Sequence, residues 1–327
     1  MSIKSLGNKK GISYSAVWEE TGTGAMYPPP VDYGAVARYG DRAIVVAGYD
    51  SSNVNTIQYF NTTSTGNASD FGDYLVTTRG CRSLSGAGGA NRGVTGGGWS
   101  DASASYNNEI GYVTIPTPGN ATDFGDLTTA GQWAASMSSG TRGVWASRPE
   151  STDICYITIA TTGNAIDFGD MTDAGGAAAG ASSETRGMIM GGHRVHGNRI
   201  EYITIASTGN ATDFGDLSET VRWCSGVSSS AGRAVRIGGK NNTSGNETDI
   251  MDYVAMDTPG NATDFGDLSA SYEPSGCCSN GTRGLVPGRT GSNQIEYITI
   301  ANTGNSTDFG DLTHNTGSAG STTGTPS

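Results

Sequence analysis

The sequence predicts an all-β fold, a six-bladed β-propeller with four antiparallel strands per blade. Three observations carry that expectation. The tetrapeptide Asp-Phe-Gly-Asp occurs six times, beginning at Asp70, Asp123, Asp167, Asp213, Asp264 and Asp308, at intervals of 53, 44, 46, 51 and 44 residues, a period typical of propeller blades. A tyrosine stands 11 residues before each copy, at Tyr59, Tyr112, Tyr156, Tyr202, Tyr253 and Tyr297, so the strand leading into the repeat has a fixed length. The chain also holds 51 glycines among abundant Ser, Thr and Asn, which disfavours helices and favours short strands joined by tight turns.

Each strand of the unit has its own signal. The innermost is a run of small residues such as Trp133-Ala-Ala-Ser-Met, because neighbouring blades crowd together at the axis. The second begins at an arginine and ends in glycines, as in Arg186-Gly-Met-Ile-Met-Gly-Gly, with related runs at Arg42, Arg92, Arg142, Arg233 and Arg283. In the third, Ile200-Glu-Tyr-Ile-Thr-Ile, both faces carry apolar groups, as a sheet packed between two others requires. The fourth is Asp-Phe-Gly-Asp itself, where each Asp is expected to cap its own Gly turn and each Phe to anchor the blade edge.

The repeat places the propeller over residues 31–312. Residues 1–30 lie outside it and end in Pro28-Pro29-Pro30, a stiff spacer, so they are expected to form an attachment segment. The Gly/Ser/Thr-rich stretch 313–327 is expected to be a flexible tail. Cys81, Cys155, Cys224, Cys277 and Cys278 lack zinc-site spacing and read as free thiols. Cys81 and Cys224 fall where other units have Ala134 and Ala178, on the inner strand.

Charge and motifs narrow the function. A formal net charge of −12 without a Lys/Arg run argues against nucleic acid, and no apolar stretch suggests a leader or a membrane span, so a soluble protein made in a cytosol is expected. His193, His196 and His314 form no HExxH, and GxSxG and GxxxxGK[ST] do not occur, so no catalytic residue is assigned. Asn67, Asp70 and Asp73 place hard oxygens within one turn, but two carboxylates three residues apart fall short of a calcium cage. No metal or cofactor is expected.

The Arg-Gly-apolar-Gly-Gly strand followed by a tyrosine strand resembles the kelch repeat, although Trp99, Trp133, Trp145 and Trp223 share no repeat position in this reading. The fuller pattern, Ile-Glu-Tyr-Ile-Thr-Ile followed by Thr-Gly-Asn-Ala-Thr-Asp-Phe-Gly-Asp-Leu, is similar to repeats of structural and tail-associated proteins of tailed, especially marine, bacteriophages. That resemblance implies a virion component, a tail, fibre or surface appendage, expected in multiple copies; residues 1–30 are then expected to dock on another virion protein or to pair with a neighbouring blade. It implies no catalytic residues.

The Arg-to-Tyr spacing varies from 14 to 20 residues, so length variation falls between the second and third strands. The segments 49–55, 99–108, 147–152, 193–198, 240–248 and 289–294 should therefore share one end of the disc, the arrangement of a binding surface. Trp99, Tyr106, Arg148, His193, Arg194, His196, Lys240 and Arg289 are the candidate contacts for a host-surface glycan or protein. The alternative is a glycan-active hydrolase, which needs a carboxylate pair at the channel mouth.

Overall fold

The computed structural model describes residues 40–86, 92–146 and 148–324. The attachment segment expected over 1–30 lies outside the described residues. The described residues are all-β and form a six-bladed propeller.

Blade one contains β1 (Arg42–Asp50), β2 (Ser52–Asn61) and β3 (Ser69–Thr78). Blade two is β4 (Arg82–Gly86), β5 (Arg92–Ser100), β6 (Ser105–Thr114) and β7 (Thr122–Asp126). Blade three is β8 (Ala135–Ser138), β9 (Arg142–Ala146), β10 (Ser151–Thr158) and β11 (Ile166–Gly175). Blade four is β12 (Ala179–Ser182), β13 (Arg186–Met190), β14 (Arg199–Thr204) and β15 (Thr212–Asp216). Blade five splits its inner strand into β16 (Val221–Arg222) and β17 (Ser225–Ser228), then adds β18 (Arg233–Asn241), β19 (Glu247–Ala255) and β20 (Thr263–Asp267). Blade six is β21 (Cys278–Ser279), β22 (Arg283–Arg289), β23 (Ser292–Thr299) and β24 (Thr307–Asp311). The final strand, β25 (Gly320–Gly324), returns to pair with β1 and becomes the inner strand of blade one. Inner strands touch in the order β25, β4, β8, β12, β17, β21 and back to β25, which closes the ring.

The C-terminal expectation is thereby corrected. Gly320–Gly324 is a fully buried strand, and the blades run to Gly324 instead of stopping at 312. Low-complexity composition suggested fraying, yet small residues are what an inner strand requires: a Cβ on Gly320 would come within 2.5 Å of Ser83 Oγ in the next blade.

The core lies in the seams between blades. One cluster joins Val144, Ile154 and Phe168 of blade three to Ile189, Ile203 and Ile205 of blade four, and the other five seams are built the same way. Repeat residues bind each seam. In every blade the arginine opening the second strand stacks on the third-strand tyrosine, 4.3 to 4.9 Å from its ring centre. The same guanidinium donates to a carbonyl of the following blade, as Arg92 does to Ile159 and Arg283 to Thr63. The tyrosine meets the Asp-Phe-Gly-Asp phenylalanine edge to face, as Tyr202 meets Phe214 at 6.0 Å.

A bulge opposite that phenylalanine recurs in all six blades, as between Ile200 and Glu201, and a bulge turns a side chain out of the strand's alternation. The Phe rings are buried, as expected. The capping expectation for Asp is corrected, because the cap comes from the next blade: Asn210 Oδ1 accepts the amide of Asp170 at 3.1 Å, and the equivalent asparagine does so in every blade, with Asn67 reaching Asp311 across the closure. Asn67 is thus committed to another blade's backbone and does not join Asp70 and Asp73 in one cage.

Candidate recognition face

In an antiparallel four-stranded blade, the turn between strands two and three emerges at the same end as the link to the next blade. Backbone pairings verify this: Arg79 in a link pairs with Trp99 beside a hairpin turn, Gly176 with His193, and Pro274 with Arg289. One face therefore carries both the variable hairpins and the links around the channel mouth.

The links form a partial hydrogen-bonded ring. Gly80 donates to the Ser318 carbonyl at 2.6 Å, Trp133 to Gly80 at 2.6 Å, Ala177 to Trp133 at 3.0 Å and Trp223 to Ala177 at 2.8 Å. All five adopt left-handed backbone, with φ of 68° at Gly80, 54° at Trp133, 62° at Ala177, 52° at Trp223 and 52° at Ser318. For residues other than glycine this conformation costs of order 1–3 kcal/mol each, and the ring holds them in it.

Two indoles meet there. Trp133 of blade three and Trp223 of blade five contact each other across the small Ala177, with ring centres 5.6 Å apart at 66°. Both are partly exposed. Arg222 stacks on Trp223 at 4.6 Å and Lys240 lies 5.4 Å from the same ring. Glu273 is 3.8 Å from Lys240, and burial raises its carboxyl above the ordinary value despite that cation. The sequence reading gave the tryptophans no common position; the structure corrects it. Trp133 and Trp223 each stand 10 residues after the first Asp of their repeat, as do Gly80, Ala177, Pro274 and Ser318. The position immediately precedes the Cys81, Ala134, Ala178 and Cys224 set on the inner strand, so the equivalence was within reach of the sequence.

The predicted contacts divide into two groups. Trp99 and Tyr106 pair across a hairpin with ring centres 5.3 Å apart, and Tyr106 is 43% exposed. His193 and His196 are exposed, and His196 Nδ1 lies 2.6 Å from Asp173. Lys240 borders the tryptophan pair, and Arg289 stacks on Tyr272 at 4.3 Å. Nearby, Arg79 stacks on Tyr49 at 5.1 Å and adds a cation that the sequence reading did not select.

Arg148 and Arg194 are corrections. Arg148 is 1% exposed and spends its guanidinium on Thr128, the Thr129 carbonyl and Asp153. The Arg194 side chain is fully buried, bound to Glu201 and the Arg199 carbonyl. The cause lies in the third strand, where the residue before each tyrosine faces inward. Glu201 and Asp252 are carboxylates there and hold the buried Arg194 and Arg236 respectively, whereas Glu296 at the same position of blade six is held by the hydroxyls of Ser269, Tyr272 and Ser306; Arg148 is buried against blade three's own Thr128, Thr129 and Asp153 instead.

Among the described residues no three His, Cys, Asp or Glu side chains cluster as a metal site. No protein-family model matches the chain, and no curated protein is similar to it.

Proposed function

We propose that the chain is a non-enzymatic recognition module whose link-and-hairpin face binds a surface glycan through Trp133 and Trp223, mounted in multiple copies on a virion appendage. The carrying observation is the tryptophan pair. Two indoles at equivalent positions, in contact across Ala177 and held in costly left-handed backbone, present rigid flat surface beside a channel mouth. Aromatic rings of this kind give large contact area at little entropic cost, and the apolar C–H face of a sugar ring stacks on them. Arg222 and Lys240 border the indoles as hydrogen-bond donors for hydroxyl or acidic substituents. The virion setting rests on the repeat resemblance alone.

The test is binding to an immobilised glycan panel, followed by calorimetry on each hit. Trp133→Ala and Trp223→Ala should each weaken binding by about tenfold or more, the loss expected of an aromatic hot spot, while the thermal midpoint stays near wild type. Unchanged affinity in both variants would sink the reading. The raised carboxyl of Glu273 favours one competitor, a hydrolase using it as general acid. Release of new reducing ends from a bound glycan, lost in Glu273→Gln, would establish that competitor instead.

A further inference from the structure

Three arginines with buried side chains face a carboxylate: Arg148 with Asp153, Arg194 with Glu201 and Arg236 with Asp252. Arg82 is also buried. It is 6% exposed, forms no ion pair with a described residue, and makes one hydrogen bond, from Nη1 to its own neighbour's carbonyl at Cys81, 3.1 Å away. A guanidinium stays charged at any pH a protein tolerates and has five donors to satisfy. Burying that charge without a counter-ion costs several kcal/mol.

Arg82 stands two residues after Gly80, at the start of β4, just inside the channel mouth. It lines an axial cavity of about 100 Å³ together with Ser83, Ser136, Ser225, Cys277 and Ser321. Equivalent positions in the other blades are Ala135, Ala179, Ser225, Gly276 and Gly320, so a single long cation enters a ring of small residues. The thiols do not neutralise it. Burial pushes Cys81 up to about 11 and Cys277 up to about 12, so both are uncharged at neutral pH.

The serine hydroxyls beside Arg82 are engaged elsewhere, that of Ser83 with Thr95. Ser136 donates to the Ser83 carbonyl at 2.9 Å and Ser321 to that of Gly276, spending their protons on neighbouring blades. Ser225 Oγ accepts the Cys277 amide at 2.8 Å, and its hydroxyl also hydrogen-bonds the Cys277 thiol, which leaves the Arg82 guanidinium as the lining group with donors to spare.

We infer that the channel mouth is a binding site for a small oxyanion, held by the Arg82 guanidinium. The shared chemistry is a planar or tetrahedral group of anionic oxygens, which a guanidinium recognises in bidentate fashion. It can arrive as a free inorganic ion or as the carboxylate of an acidic sugar.

The experiment is thermal unfolding of the full chain in dilute Tris at constant ionic strength, with chloride exchanged stepwise for phosphate, sulfate, acetate or glucuronate. A ligand that binds only the folded state raises the midpoint with the logarithm of its concentration, by about 5 °C at a hundredfold excess over Kd for a domain of this size. Wild type should show that rise for at least one anion, Arg82→Lys a smaller one, and Arg82→Met none beyond the general salt effect. Arg82→Met should also melt no lower than wild type in chloride alone, because the variant removes an uncompensated charge.

Parallel slopes in wild type and Arg82→Met, or a variant that melts lower by the same margin in every anion, would overturn the site and leave Arg82 a packing residue. If Arg82→Met does not fold, equilibrium dialysis of wild type and Arg82→Lys against radiolabelled phosphate and sulfate decides, and absence of saturable uptake by wild type overturns the site equally. A response to phosphate or sulfate alone assigns a free ion; a response to glucuronate that falls in Trp133→Ala assigns an acidic sugar. The inorganic response should survive Trp133→Ala and Trp223→Ala, so failure of the glycan reading and failure of this site are separate results.

Discussion

The clasp between blades three and four offers a paired test of why the Asp-Phe-Gly-Asp repeat needs its glycine. Gly169 has φ +144°, and a Cβ there would sit 2.5 Å from the Gly209 carbonyl oxygen and 2.6 Å from its carbon. Gly209, on the other side of the same clasp, has φ +157° with nothing within 4 Å of a Cβ. Gly209→Ala therefore incurs backbone strain alone, about 1–3 kcal/mol. Gly169→Ala incurs similar strain and must also push the blades apart by about 1 Å, beyond hydrogen-bonding range for bonds already near their normal length. Three bonds span that gap: Gly209 to Phe168 at 2.7 Å, Ala211 to Asp170 at 2.8 Å, and Asp170 to Asn210 at 3.1 Å. At roughly 1 kcal/mol each they add about 3 kcal/mol, or about 6 °C at roughly 2 °C per kcal/mol for a domain of this size. Urea unfolding of both variants, with m-values checked for constancy, measures the difference directly. Equal destabilisation of the two within about 0.5 kcal/mol would show that close approach at the rim contributes nothing and that the clasp is incidental.

Three other perturbations address the buried polar groups and the closure. Asp252→Asn removes one of the two carboxylates on the buried Arg236 guanidinium, Glu219 remaining at 3.3 Å, and should cost about 1.5–3 kcal/mol in urea unfolding, the loss of a hydrogen bond between charged groups, whereas the double change Asp252→Leu with Arg236→Met should recover most of it; a single variant as stable as wild type contradicts the pairing. Truncation after His314 removes β25 and should abolish the single cooperative transition seen by circular dichroism, while an unaltered transition would mean that blade one closes without its inner strand. Burial raises the Cys81 thiol from an ordinary 9.0 to about 11 and those of Cys277 and Cys278 to about 12. Between those values the unfolded chain has lost these protons and the folded chain still holds them, so stability is fully present below pH 9 and falls as pH rises. The slope is about 1.4 kcal/mol per pH unit for each thiol, and Cys277→Ser should flatten the profile of urea midpoints from pH 8 to 11.

The repeat carried the blade count, the strand order and the burial of the Phe rings, because these follow from spacing and alternation within one unit. What crosses between units was harder to read. The Asp residues of each turn looked like its caps, yet Asn from the neighbouring blade supplies the cap, and no pattern inside a single repeat specifies which copy an asparagine serves. Arg194 stood in a variable segment and looked exposed, but the inward-facing Glu201 beside Tyr202 decides its burial: Glu201 sits where Gly111 sits in blade two, and alternation treats both as unremarkable. The C-terminal strand was hidden by composition, since glycine, serine and threonine describe both a loose end and the crowded axis of a ring. Trp133 and Trp223 were legible, each standing directly before an aligned inner-strand residue, Ala134 and Cys224, but the other four blades have Gly80, Ala177, Pro274 and Ser318 there, so no repeated tryptophan marks the position.

The return of β25 to β1 ties the two ends of the ring together in time as well as in space. Translation delivers three strands of blade one first and their fourth partner last, so β1 must wait with a bare edge, an invitation to foreign strand addition, while the other five blades emerge. Throughout that interval Ala43, Val45 and Phe60 have no blade six to cover them. A nascent chain stalled before β25 emerges would expose both surfaces at once, and chaperone capture should peak at that point of synthesis.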